Sequence, residues 1–103
     1  MWADSYVGLP FAKGGRDARG LDCYGLVRLV LAERAGVLLD RFDDVIDVAA
    51  TVQAEAPRFS AVEPGQERPL DVVIMNEPAL QGGRWVRAPV HMGVIVMAGL
   101  VLH

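Results

Sequence analysis

The stretch Gly20-Leu-Asp-Cys-Tyr-Gly-Leu-Val-Arg-Leu-Val-Leu-Ala-Glu-Arg-Ala-Gly36 decides how this chain of 103 residues is read. Asp22 is a short acidic side chain suited to cap a helix start. Leu26, Val27, Val30 and Leu31 recur at helical spacing, and Gly36 can take the left-handed conformation that closes a helix. The spacing predicts a helix over Leu21–Ala35 with Cys23 directly after its cap. A thiol there meets free backbone N–H groups and the positive end of the helix dipole, both of which favour a thiolate. Cys23 is the only cysteine, so no intrachain disulfide can form, and the thiol is either buried filler or a working group.

On the N-terminal side, Gly8, Pro10, Gly14, Gly15 and Gly20 alternate with Trp2, Tyr6, Leu9 and Phe11, which predicts a short helix or turn followed by an ordered loop. Beyond Gly36, Asp40, Asp43 and Asp44 precede Val45, Val48, Ala49 and Val52, the pattern of a second, shorter amphipathic helix. With Asp47 these acids read as a solvated helix start, since they lack the glycine and terminal glutamate of an EF-hand. Pro57, Pro64, Gly65 and Pro69 mark a connecting loop. From Leu70 the period changes. Val72-Val-Ile-Met75 reads as a strand, Glu77–Pro89 as a surface loop with Trp85 and Val86 as part of an edge strand, Val90–Met97 as a second strand and Leu100–His103 as a third. Helices first and an antiparallel sheet second is the α+β class, here in one domain spanning 1–103.

Hydrophobic content of 52% with 22% charged residues is that of a globular chain, and a net charge of −3 gives no broad attraction to phosphate backbones or anionic lipid. Nucleic acid is not an expected partner. Val90–Leu102 is too short to cross a bilayer as a helix, and Met1-Trp2-Ala3-Asp4-Ser5 lacks the basic start of a secretory signal, so neither membrane insertion nor a signal peptide is expected. No cofactor is implied. Gly14, Gly15 and Gly20 match neither a dinucleotide fingerprint nor a P-loop, and a Cys23, His91, His103 zinc set would lack any short ligand pair.

His91 opens one predicted strand and His103 ends the next, so a hairpin can bring the two imidazoles together, one to deprotonate Cys23 and the other to orient it. Parity is the condition. A plain two-residue turn at Ala98-Gly99 would pair Met97 with Leu100 and Val94 with His103, putting the histidines on opposite faces. Sharing a face requires an odd loop such as Met97-Ala98-Gly99, which sets His103 opposite Gly93, or a β-bulge, which restores the same parity.

Taken together, Tyr6-Val-Gly-Leu-Pro-Phe11, Gly14-Gly15, Gly20-Leu-Asp-Cys-Tyr-Gly-Leu-Val27, Pro69-Leu-Asp-Val-Val-Ile74, His91-Met-Gly-Val-Ile-Val96 and Val101-Leu-His103 resemble, in order and over almost the whole chain, the NlpC-type cysteine peptidases. The resemblance implies a minimal papain-like fold, N-terminal helices packed on a small antiparallel sheet. It further implies Cys23 as nucleophile, His91 as base and His103 as orienting residue, with peptidoglycan stem peptides as substrate. Tyr24, where cell-envelope members usually carry Ser, looks most like the peptidases of phage tail tips, which implies tail proteins as partners and delivery to the wall by a virion or related particle. Tyr6, Phe11 and Tyr24 are the expected substrate contacts. Phe11 departs from the Tyr of many relatives and lacks its hydroxyl, and Leu70 replaces a usual glycine. The sequence ends at His103 where relatives continue, so the sheet is expected to be truncated after its third core strand. An open edge then favours a homodimer, a swapped segment or a disordered end. The alternative function is a non-catalytic tail or wall-binding module that keeps the fold.

Overall fold

The computed structural model describes residues 2–42, 48–97 and 99–103. Asp43, Asp44, Val45 and Asp47 of the acidic helix start, and Ala98 of the last turn, lie outside the described residues. The chain forms a small α+β domain with two α-helices and two antiparallel sheets among those residues. A 3-10 turn over Trp2–Tyr6 leads to a small hairpin of β1 (Arg16–Asp17) and β2 (Gly20–Leu21). Helix α1 (Cys23–Arg34) follows, then α2 (Val48–Glu55), which runs into a 3-10 turn at Ala56–Arg58. The second sheet has the order β3-β4-β5, with β3 at Val72–Gln81, β4 at Arg84–Met97 and β5 at Leu100–Leu102.

Helix α1 forms for the reasons its sequence gives. Extended Asp22 accepts the Gly25 N–H on Oδ1 at 2.7 Å, satisfying one of the unpaired donors of the first turn. At the other end Gly36 has φ 67°, and the Val37 N–H returns to the Leu31 carbonyl at 3.0 Å. The buried face of α1, including Tyr24, Val27, Val30 and Leu31, joins Met92, Val94 and Val96 of β4 and Leu102 of β5 in one core. Val27, Val30 and Val94 are fully buried, each contributing about 1.5–3 kcal/mol relative to exposure.

The sheet is longer than the sequence suggests. The expected loop Glu77–Pro89 is instead the outer half of a hairpin, paired in register from Glu77↔Ala88 to Gln81↔Arg84. Gly82 and Gly83, at φ 58° and 77°, make its two-residue turn, a conformation in which glycine is favoured because it has no Cβ. Pro78 and Pro89 are tolerated because this half has only two strands, and Pro89 adjoins a bulge: Met75 pairs with His91 but Asn76 with Pro89, leaving Val90 as the extra residue. Leu80 and Trp85 face each other across the strands, 60% and 73% exposed. The expected loop at 14–20 likewise contains the β1–β2 pairing.

A second bulge decides the face that His103 takes. Met97 pairs with Leu100, as a two-residue connection dictates, but the register then shifts, so Ile95 pairs with Val101 and Val94 with Leu102. Val96 is the extra residue. The odd loop gives way to its stated equivalent, a bulge, and the same parity results. Met92, Val94 and Leu102 face the core, whereas Gly93, Val101 and His103 crowd together on the other side of the strands.

Candidate active site

Cys23 is held at the first position of α1 by a compact backbone layer. A Cβ on Gly25 would lie 2.0 Å from the Gly15 carbonyl oxygen, one on Gly15 2.1 Å from the Gly20 oxygen, and one on Gly20 2.5 Å from the Ala12 Cβ. These glycines therefore permit close approach of chain to chain rather than loop freedom. The Asp22 N–H donates to the Gly15 oxygen at 3.3 Å, and Leu21 is tied to Pro10 and Ala12 through its own N–H and carbonyl. These contacts fix the two residues that precede the thiol.

Sequence reasoning missed the group that fastens this layer. Arg16 is 4% exposed; its Nη1 donates to Asp22 Oδ1 at 2.7 Å and to the Gly15 oxygen at 3.0 Å, its Nε to the Arg41 oxygen at 2.6 Å and its Nη2 to the Phe42 oxygen at 3.1 Å. The guanidinium also lies over the Tyr24 ring. Nothing in Gly14-Gly-Arg-Asp17 distinguishes such an arginine from a solvated one, because its burial depends on the carbonyls of the distant Arg41 and Phe42.

His91 Nε2 and His103 Nδ1 are 3.1 Å apart, with their rings edge to face. Both line a pocket of about 330 Å³ together with Cys23. The Met92 N–H, next to His91, is among the backbone groups that act to lower the thiol's pKa. Three polar groups far apart in sequence thus share one concavity. Its walls include Tyr6, Leu9, Phe11, Leu26 and Val101, and among the described residues no lysine or arginine lines it. A larger, mostly apolar cavity of about 560 Å³ between α1, α2 and β3 contains none of these three residues.

The expected substrate contacts separate. Phe11 is 78% exposed on the pocket wall. Tyr6 lines the same pocket though only 5% exposed, and its hydroxyl donates to Glu33 Oε1 at 2.7 Å and accepts from Arg34 Nε at 3.3 Å. Tyr24 is corrected: it is 2% exposed, packs on Phe42, donates its hydroxyl to the Asp40 carbonyl and lines the larger cavity, so it has no surface to offer a substrate beside Cys23. The ring follows the helix face into the core, where Leu and Val neighbours also point. Burial, with Glu55 nearby, pushes its phenol up to about 12.

Electrostatics also modify the expectation of a thiolate. Burial raises the Cys23 pKa, the Asp22 carboxylate adds to the rise, and the N–H groups of Met92, Tyr24 and Cys23 itself oppose it without reversing it. His91 is lowered from 6.5, first by burial and then by His103. Both shifts favour the neutral forms, a protonated thiol and an uncharged imidazole, in the pocket that the two residues line.

Comparison with family models, with curated proteins and with solved structures gave no match. Among the described residues no helix is long and apolar enough to cross a membrane.

Proposed function

We propose that this chain is a cysteine endopeptidase of the NlpC type, a minimal papain-like domain that hydrolyses amide bonds of peptidoglycan stem peptides. The observation that carries the reading is the 3.1 Å contact between His91 and His103 within the pocket lined by Cys23. In the required tautomer His91 donates its Nε2–H to His103 Nδ1, leaving His91 Nδ1 as the free base. That nitrogen takes the thiol proton as sulfur attacks the amide carbonyl, while His103 holds the His91 ring in its orientation and tautomer. Backbone N–H groups at the start of α1 hold the oxyanion, since Phe11 supplies no hydroxyl. The imidazolium then protonates the leaving amine, and water, deprotonated by His91, releases the acyl group from sulfur. Carriage to the wall by a phage tail or related particle, contact with tail proteins and pairing of two copies through the open β5 edge belong to the same proposal.

Purified muropeptides incubated with the wild type should give products whose masses differ by one hydrolysed amide, and Cys23→Ala should give none. Binding without cleavage by both proteins would favour the alternative, a wall-binding module that keeps the fold.

A further inference from the structure

A glycine inside a buried strand weakens it unless the missing side chain makes room for something. Gly93 is buried in β4, in the regular stretch between the bulges at Val90 and Val96. Its φ lies outside the left-handed region, so backbone freedom is not what glycine supplies here. Space is. A Cβ at this position would stand 2.7 Å from the Leu102 carbonyl oxygen, 2.8 Å from Val101 Cγ1 and 2.9 Å from His103 Cβ. All three atoms belong to β5 or to the residue that follows it.

We propose that Gly93 is a positioning residue for the histidine pair: its absent side chain lets β5 close onto β4 far enough for His103 to reach His91. The register Val94↔Leu102 sets His103 opposite Gly93, two residues along from His91. Val101 Cγ1 can rotate away from an added methyl group. Leu102 O cannot, because it is backbone, and His103 Cβ follows that backbone. Of the two strands β5 yields, being a three-residue edge strand, whereas β4 is held on both sides. Restoring ordinary van der Waals separation requires a shift of about half an ångström or more, enough to carry a 3.1 Å contact past hydrogen-bond range. The bulge at Val96 thus selects the face for His103, and Gly93 sets its depth. The consequence for rate rests on the peptidase reading; the consequence for the imidazoles does not.

The test is Gly93→Ala in the full chain, beside His103→Ala and the double variant. Imidazole NMR titration is the first readout. His103 helps to hold His91 below 6.5, so His91 should move toward that value in Gly93→Ala, to where it titrates in His103→Ala. A merely structural role would lower stability without this shift. The second readout is hydrolysis: each single variant should lose about 10- to 100-fold in kcat, part of what a general base contributes, and the double variant should be no slower than His103→Ala alone. A folded Gly93→Ala in which His91 titrates as in wild type, or a double variant that loses the product of both factors, overturns the proposal. If Gly93→Ala does not fold, Gly93→Ala with Val101→Ala, which removes one of the three close contacts, is read in the same way. Unfolding of both assigns Gly93 to general sheet packing and also overturns it. A wild type that cleaves nothing defeats the peptidase reading alone, because the titration still decides this one.

Discussion

Arg16 Nη1 lies 2.7 Å from Asp22 Oδ1, and that same oxygen accepts the Gly25 N–H at 2.7 Å. One carboxylate oxygen therefore joins the glycine layer to the first turn of α1, immediately before the thiol. The guanidinium side chain is 1% exposed and the carboxylate 13%, so the pair is largely screened from water and salt.

Arg16→Met should accordingly be costly, by about 3–5 kcal/mol, because it leaves a mostly buried carboxylate without its counter-charge and several carbonyls without a donor. Asp22→Asn, which keeps an oxygen for Gly25, should cost less. Urea denaturation of both variants and the double variant measures the coupling. A loss below about 1 kcal/mol for Arg16→Met would show that the arginine does not hold the helix start.

Cys23 should react slowly with iodoacetamide near pH 7 relative to a free cysteine, with the rate still rising through pH 9, since burial and Asp22 raise its pKa above the ordinary 9.0. Fast alkylation at pH 7 would mean that His91 draws the proton even without substrate. Hydrolysis should persist through pH 6.5 and fall only below it, as the lowered His91 becomes protonated. Stability follows the same group. The unfolded chain binds the His91 proton more tightly than the folded one, so stability declines as pH falls past 6.5 toward the folded pKa and is flat for this group below it. His91→Ala should remove that part of the slope.

Tyr24→Phe separates a packing role from a substrate role. The variant keeps the ring against Phe42 and under Arg16 and loses only the bond to the Asp40 carbonyl, so stability should drop by about 1 kcal/mol with kcat and KM unchanged. A selective rise in KM would return Tyr24 to the substrate.

Helix α1 was legible because cap, apolar spacing and terminal glycine agreed, three independent signals over one short stretch. The histidine strands were legible because their apolar runs stood out, and the parity requirement asked for an odd loop or its equivalent, a bulge, without deciding between them; the structure has the bulge. The outer hairpin was not. Its flanks mix Pro, Glu, Gln and Arg, which read as loop, and only Gly82-Gly83 carried the turn signal that decides it. Arg16 and the 560 Å³ cavity could not be read at all, because both depend on distant segments meeting: Arg16 on the carbonyls of Arg41 and Phe42, the cavity on α2 and the Phe59–Val62 loop. Cys23 was located correctly, but its protonation depends on burial and on its own cap, which partly offsets the dipole that position suggested.

Gly25→Ala opposes helix propensity to packing. In a solvated helix the change would be favourable by about 0.8–1.0 kcal/mol, since alanine loses less backbone entropy than glycine. Here the added Cβ would stand 2.0 Å from the Gly15 carbonyl oxygen and 3.1 Å from Asp22 Oδ1. Neither can easily withdraw: Gly15 is tied to Ala12 and Asp22 through its N–H and carbonyl, and Asp22 Oδ1 is clamped by Arg16. The helix start must move instead, carrying Cys23 with it. Propensity should therefore lose, with Gly25→Ala destabilising by at least about 2 kcal/mol in thermal or urea unfolding and slowing hydrolysis beyond what lost stability explains. Gly36→Ala at the far end of α1 is the control: an added Cβ there would meet no atom within 4 Å, so its cost should stay near the roughly 1 kcal/mol of a left-handed alanine, with hydrolysis unaffected. A Gly25→Ala protein as stable and active as wild type would show that the glycine layer yields, and that Cys23 is not held by it.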